Sequence, residues 1–269
     1  MNFNLDQPGM TRKHALMAKA ALQDIVRYCD KILRTDQVDD YPGALNGLQV
    51  ENRGAVTRIA AAVDASSSTI RLAMAARADL LVVHHGLFWS SRQPWTGKTY
   101  ELLQLVLDGN LAVYSSHLPL DLHPKLGNNV QLSAALGLRR LEPFFYSRKE
   151  HLGVSSRTRL PLRELQKRLQ AAVGTKPLVV QGGPSLCQRI GVVTGGAGSE
   201  LKLAAAEGVD TFVTGEGPHW TYAMAEELGL NLLYGGHYAT ETFGVKALAA
   251  HLSKRFRVPW CFIDYPTGL

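Results

Sequence analysis

The sequence predicts an α/β protein: two similar α/β halves from an internal duplication, each with a mostly parallel sheet flanked by helices. Three observations predict it. Arg58–Trp89 aligns without a gap on Arg189–Trp220, with about a third of positions identical, among them Ser68/Ser199, Asp79/Asp210, Val82/Val213, Gly86/Gly217 and Trp89/Trp220. Each copy places an Ala/Leu-rich helical stretch between two short apolar runs, the grammar of a βαβ unit and so of parallel strands. Further on, "LAVYSSHLPLD" (Leu111–Asp121) matches "LLYGGHYATE" (Leu232–Glu241), which pairs Tyr114 with Tyr234, His117 with His237 and Asp121 with Glu241.

The elements follow in order. Arg12–Leu33 carries apolar residues at helical spacing without proline and predicts a long amphipathic helix. Asp39–Asn52, "DDYPGALNGLQVEN", is a turn-rich entry to the first half. Copy one reads strand Ile59–Val63, helix Thr69–Arg77 with Ser66–Ser68 at its cap, and strand Leu80–Val83. A third strand ends before His117, and helix Asn128–Leu136 follows. The middle, Ser147–Gln181, reads strand, helix (Leu162–Val173), strand. Copy two reads strand Ile190–Val193, helix Glu200–Glu207 and strand Thr211–Val213, with a last helix over Thr242–Leu252. The expected halves are residues 12–140 and 141–269, with the site at their interface, no inserted domain and no low-complexity linker.

Length and composition agree. A chain of 269 residues with 46% hydrophobic content holds one large domain or two ordinary ones with a substantial core. Cys29, Cys187 and Cys261 show no CxxC spacing, which argues against a disulfide framework or a cysteine zinc site and for a reducing, cytoplasmic setting. "MNFNLDQPGM" lacks a basic start followed by an apolar run, so no signal peptide is expected. No stretch approaches the roughly 18 apolar residues of a membrane span. The charge of +6 permits contact with anions. The basic stretch Ser156–Leu169 nevertheless reads as a helix with Leu162, Leu165 and Leu169 inward, without the interleaved aromatics of a single-strand binder, so nucleic acid is not the expected partner. "VTGGAGSE" (Val193–Glu200) lacks the Lys-Ser/Thr of a phosphate loop, and its twin carries Asp64, so it reads as a structural turn. No Ser-His-Asp arrangement is suggested.

In parallel sheets ligands gather at the carboxyl ends of strands. His84 and His85 stand there in copy one, Gly215 and Glu216 in copy two. Neighbouring strand residues point to opposite faces, but a strand end or bulge lets both imidazoles reach one cleft. A hydrogen-bonded core histidine is the competing reading for either alone. Asp121, His237 and Glu241 sit at equivalent strand ends. Imidazole with carboxylate suits zinc, iron, manganese or nickel rather than calcium or magnesium. Five ligands exceed the usual three of one open catalytic zinc and suit two neighbouring metal ions.

"DYPGALNGLQVEN", "VVHHG", "SSHLPLD", "TGEGPHW" and "GGHYATE", in this order, resemble the Nif-three-like dinuclear metal-centre proteins, also called type-two homologues of GTP cyclohydrolase I. The resemblance runs from about Arg12 nearly to the end. It implies metal ligands at His84, His85, Asp121, His237 and Glu241, with Glu241 bridging two divalent ions. It also implies two α/β halves and a homohexamer with its metal sites facing the interior. The family's usual "HTNLD" reads "HLPLD" here, which removes a polar Thr-Asn pair beside Asp121.

His117 has two readings: a ligand by internal symmetry with His237, or a residue orienting Asp121 or a substrate, which the family pattern favours. His219, beside Glu216, is a candidate proton carrier or a surface histidine. The expected function is a two-metal hydrolase-like protein acting on a small molecule through C–N or phosphoester hydrolysis, GTP included. The alternatives are metal storage or delivery without catalysis, and a regulatory interaction protein. No membrane partner is expected.

Overall fold

The computed structural model describes residues 19–89 and 94–269. The first part runs β1 (Ala20–Ala21), α1 (Leu22–Leu33), β2 (Gly47–Val50), β3 (Ala55–Val56), β4 (Ile59–Asp64), α2 (Ser67–Ala75), β5 (Leu80–His85), α3 (Gly97–Asp108) and β6 (Ala112–Ser115). A short α4 (Leu118–Asp121) and α5 (Asn128–Ala135) follow. The chain continues through β7 (Glu142–Ser147), β8 (Glu150–Pro161), α6 (Leu162–Val173), β9 (Leu178–Gln181) and β10 (Leu186–Val192). A 3-10 turn at Ala197–Glu200 leads into α7 (Leu201–Ala206), then β11 (Thr211–Thr214), α8 (Thr221–Glu227), β12 (Asn231–Tyr234), α9 (His237–Phe256) and β13 (Trp260–Phe262).

Two sheets carry the duplication. One has the order β13-β4-β5-β6-β2 and the other β7-β8-β10-β11-β12-β9. The shared unit is three parallel strands closed by an antiparallel edge: β4-β5-β6-β2 in one, β10-β11-β12-β9 in the other. β4, β5 and β6 are buried nearly throughout, as strands covered on both faces must be. The last strand, β13, pairs parallel with β4, so the chain's end returns to the first sheet.

The helices after the third strands cross over. α5 buries Leu132 and Leu136 with Leu165, Leu169 and Ile190 beneath the second sheet. α9 buries Val245, Leu248, Ala249 and Leu252 with Ile59, Leu80 and Val82 beneath the first. Each half thus lends a helix to the other, and the ends of β6 and β12 are drawn toward a common seam.

The duplication is visible in its hydrogen bonds. Asp79 Oδ2 accepts from the Thr57 and Arg58 amides at 2.6 and 3.1 Å. Its twin Asp210 Oδ2 accepts from Gln188 and Arg189 at 2.7 and 3.0 Å. Each aspartate pins the start of the neighbouring strand. Asp79→Ala and Asp210→Ala are each expected to cost about 1–3 kcal/mol, because two amides lose their acceptor. Urea denaturation checks this, and a loss below about 0.5 kcal/mol contradicts it.

Two expectations need correction. The first helix starts at Leu22, since Ala20–Ala21 instead pair antiparallel with Ala55–Val56. The expected residues 12–18 lie outside the described residues. The buried stripe of α1 is Leu22, Ile25, Val26, Cys29 and Leu33, and Arg34 closes it in a left-handed conformation. The downstream alignment is also off by one residue. Ala112 and Asn231 donate to the twin carbonyls of Asp79 and Asp210, both at 2.9 Å. Ser116 and Gly235 donate to the twin carbonyls of Val83 and Thr214, also at 2.9 Å. The counterpart of His117 is therefore Gly236, each capping the following helix, and Thr240 rather than Glu241 answers to Asp121. A parallel ladder fixes register through backbone bonds, and the matching Tyr, His and acid letters stand one step out of it.

Candidate metal centre

His84 and His85 end β5, one residue beyond the last β5–β6 pair, Val83 with Ser115. Pairing with β6 has ended there while β4 still holds His85 opposite Asp64, and both rings reach the same seam, their centroids 4.8 Å apart. His84 is fully buried, and His85 is partly open. Asp121 ends α4. His237 and Glu241 lie one turn apart at the start of α9, which begins five residues earlier than the apolar pattern suggested.

These side chains converge on Glu241. Its Oε1 lies 3.5 Å from His84 Nε2, and its Oε2 lies 3.3 Å from His85 Nε2 and 3.2 Å from His237 Nε2. Asp121 Oδ2 faces His84 Nε2 at 3.5 Å. The ligating atoms of His85, His237 and Glu241 all lie within 4.8 Å of one another, as do those of His84, His85 and His117. His84 Nε2 and Glu241 Oε2 are buried without a hydrogen-bond partner. Orphaned buried polar atoms are costly, and a cation between them removes the cost. The donor set, imidazole nitrogens with carboxylate oxygens, fits a transition metal or zinc.

All four histidines are oriented alike. Nδ1–H of His84 donates to the Ser116 carbonyl at 3.0 Å. Those of His85, His117 and His237 donate to Asp64, Asp40 and Glu216, each at 2.8 Å. Every Nε2 is thereby turned toward the seam, the arrangement that orients a metal-binding imidazole and raises its basicity. Asp40 and Asp64 had no assigned part in this in the sequence, and Glu216 was noted only for its place at a strand end. An aspartate at a strand end or in a loop carries no signal of the ring it will meet after folding.

Asp121 has its own support. Asn128 Nδ2 donates to Asp121 Oδ1 at 2.8 Å, while Asn128 Oδ1 accepts from the Gly244 amide of α9 at 2.6 Å. Hydrogen bonding lost with the Thr-Asn pair is thus met from α5. His117 does not orient Asp121 by a hydrogen bond; its Nδ1 is committed to Asp40, which also accepts from Asn46 and the Leu118 amide. His219 is exposed and does not line the cleft.

The electrostatics follow from this crowding. Burial would lower His84, but the charges of Asp121 and Glu241 outweigh it and raise it to about 10. Burial likewise opposes protonation of His237, yet Glu241 and Glu216 lift it to about 9. Burial would raise Glu241, but His84, His237 and His85 hold it well below its usual value. Asp121 is raised, by burial first and by Glu241's charge. For Asp40, burial is overcome by its bond to His117 and by Asn46, so it is lowered.

The glycine turn after β10 touches this centre. Gly195 has φ +71°, and a Cβ there would overlap Glu241 Oε1. Gly195→Ala is expected to cost about 1–2 kcal/mol, from strain at positive φ, and to weaken metal binding at least tenfold by displacing the carboxylate. Denaturation and elemental analysis of the same sample check both; unchanged metal content contradicts the second.

The fold and cleft define a class: duplicated α/β proteins whose halves close on a histidine–carboxylate cluster able to hold metal. Residues 20–267 match the model of the Duf34/NIF3 (NGG1p interacting factor 3) family. The chain belongs to that family. It is 40% identical over 249 residues to the "GTP cyclohydrolase 1 type 2 homolog" of Deinococcus radiodurans, covering 91% of this chain and 94% of the relative. The relative of the same description in Halobacterium salinarum is 43% identical over 249 residues, with 90% and 97% covered. Among solved structures, TTHA1606 from Thermus thermophilus superposes with a TM-score of 0.86 at 40% identity, covering 93% of this chain and all of that one. No helix among the described residues is long and apolar enough to cross a membrane.

Proposed function

We propose that the seam is a dinuclear metal centre serving a hydrolase-like reaction. One observation carries it: the two oxygens of a single buried carboxylate, Glu241, face different partners. Oε1 meets His84, which also faces Asp121; Oε2 meets His85 and His237. His84 and Asp121 would hold one ion, His85 and His237 the other, and Glu241 both. Two divalent ions (zinc, iron, manganese or nickel) supply positive charge and a water that loses its proton near neutral pH.

The chain's own residues do the rest. Asp40 keeps the proton of His117 on Nδ1, so Nε2 faces the cleft ready to take a proton and return it. Phe145, Leu118, Leu152 and Val193 line the cleft wall and limit water there. A cavity of about 390 Å³ opens over His85, Asp121, His237 and Glu241, which favours a substrate site over closed storage. The relatives' description makes GTP the first compound to try. The homohexamer belongs to this reading through the family resemblance, and the cytoplasmic setting through the scattered, unpaired cysteines.

The test is elemental analysis of protein grown with added metal, beside His85→Ala. Wild type is expected to carry about two equivalents per chain and His85→Ala about one or fewer. Less than half an equivalent in wild type overturns the centre. Ring opening of GTP by the loaded protein, absent in His85→Ala, tests the activity; light scattering tests the assembly.

A further inference from the structure

The mouth of the cleft carries two aromatic side chains that the metal centre does not need. Tyr41 and Trp89 line it, and they stay 41% and 40% exposed. Large rings left open beside a polar site forgo burial unless a ligand covers them. Both are held in place. Trp89 sets an edge against His117 at 4.7 Å and 82°, and against His85 at 5.4 Å and 77°. Tyr41 lies 5.8 Å from His117, and the Arg148 guanidinium sits 3.9 Å from its ring centroid. Arg148 also donates to the Asp40 carbonyl at 3.4 Å, so one arginine fixes both the tyrosine and the turn that holds His117.

The rest of the lining has the same character. Leu118, Phe145, Leu152, Val193 and Ala197 form an apolar wall, and Glu200 adds a carboxylate. Phe145 is turned there by a left-handed backbone at φ 67°, its amide bound to Glu207. Strain of this kind in a buried aromatic marks a shape that the fold maintains. Among the described residues the lining holds no lysine or arginine.

We infer that the cleft recognises an uncharged, flat nitrogen heterocycle, stacked on Trp89 and Tyr41 over the metal centre. The inference rests on the dinuclear reading and narrows its substrate class to the ring. Stacking of one base on an aromatic is worth about 1–3 kcal/mol, or roughly 5- to 150-fold in affinity. Glu200 would accept an N–H from the ring edge.

The experiment is calorimetric titration of the metal-loaded protein with guanosine, uridine, GTP and inorganic tripolyphosphate, with metal content measured on each sample. At least one nucleoside is expected to bind, and any tripolyphosphate binding, which would go through the metal ions, is expected not to depend on Trp89 or Tyr41. Trp89→Leu and Tyr41→Leu should each weaken nucleoside binding at least about tenfold at unchanged metal content, and Trp89→Phe should restore most of it. Full affinity in Trp89→Leu, or a loss of tripolyphosphate binding in that variant equal to the loss of nucleoside binding, overturns the inference. So does a fully loaded protein that binds neither nucleoside, and that result leaves the metal centre standing. Wild type without metal instead removes the dinuclear reading, and the ring proposal with it.

Discussion

Glu241→Gln is expected to empty both metal positions, with an affinity loss beyond the roughly 10- to 100-fold that removing an outer partner costs. The reason is topological as much as electrostatic. Each Glu241 oxygen faces a different set of histidines, so one neutral amide withdraws a ligand from both ions together. Asp121→Asn, by contrast, touches only the side facing His84 and is expected to leave about one equivalent bound. The metal-free Glu241→Gln protein also loses the anion that balances its histidines, at a cost of about 3–5 kcal/mol. Elemental analysis after dialysis, with chemical denaturation alongside, separates the two effects. Asp210→Ala is the control, since it should lose stability and keep its metal. Two full equivalents in Glu241→Gln would remove the shared-carboxylate arrangement.

The fold was largely legible because duplication writes each element twice. The gap-free match of Arg58–Trp89 to Arg189–Trp220 placed β4, α2, β5 and their twins within a few residues. Ser66 is the N-cap of α2, its hydroxyl accepting from the Thr69 amide at 3.2 Å. Legibility failed where local letters competed with long-range geometry. Tyr114 and Tyr234 match as letters, yet the tyrosines occupy different positions in their ladders. Tyr114 packs among Ile59, Leu80 and Leu248, Tyr234 against Phe212 and Leu201. The exchange of α5 and α9 between the halves has no sequence signature, because each helix needs only an apolar face and not a particular sheet.

At the site, the residues brought together were those with distinctive chemistry at strand ends: His84, His85, Asp121, His237 and Glu241. Their supporting partners carry no such mark. Asn128 looks like an ordinary first residue of a helix, and its ties to Asp121 and Gly244 exist only across three elements. The glycine turn at Gly195 reads in the sequence as a structural turn, and in the fold its lack of a side chain makes room for Glu241. His219 stands near Glu216 in the chain, which made it a candidate. Glu216 turns to His237, and His219 stays in solvent.

Metal loading is expected to expel roughly two protons per chain at pH 7. In the metal-free protein His84 is raised to about 10 and His237 to about 9, so both hold a second proton there. A metal requires the bare Nε2, and each Nδ1 keeps its hydrogen bond throughout. The apparent affinity for each ion should therefore climb by up to about tenfold per pH unit between pH 7 and 8, about 100-fold for the pair, and flatten as pH passes about 9 and then 10. The stability of the metal-free protein moves the other way. A histidine raised on folding stabilises fully below its ordinary value of 6.5, and that contribution is lost as pH rises through its folded value. Glu241, lowered on folding, contributes above its ordinary 4.5 and loses its contribution as pH falls. The metal-free chain should thus weaken from about pH 6.5 upward and level off as pH passes about 9 and then 10, while metal binding tightens over the same range, so the melting temperatures of loaded and metal-free protein should diverge with rising pH. Calorimetry in two buffers of different ionisation enthalpy counts the protons, and thermal melts from pH 6 to 10 follow the divergence. Proton release near zero, with a gap in melting temperature that does not change with pH, would mean that the histidines are already neutral in the metal-free protein. Glu241's charge would then be balanced by something other than His84 and His237.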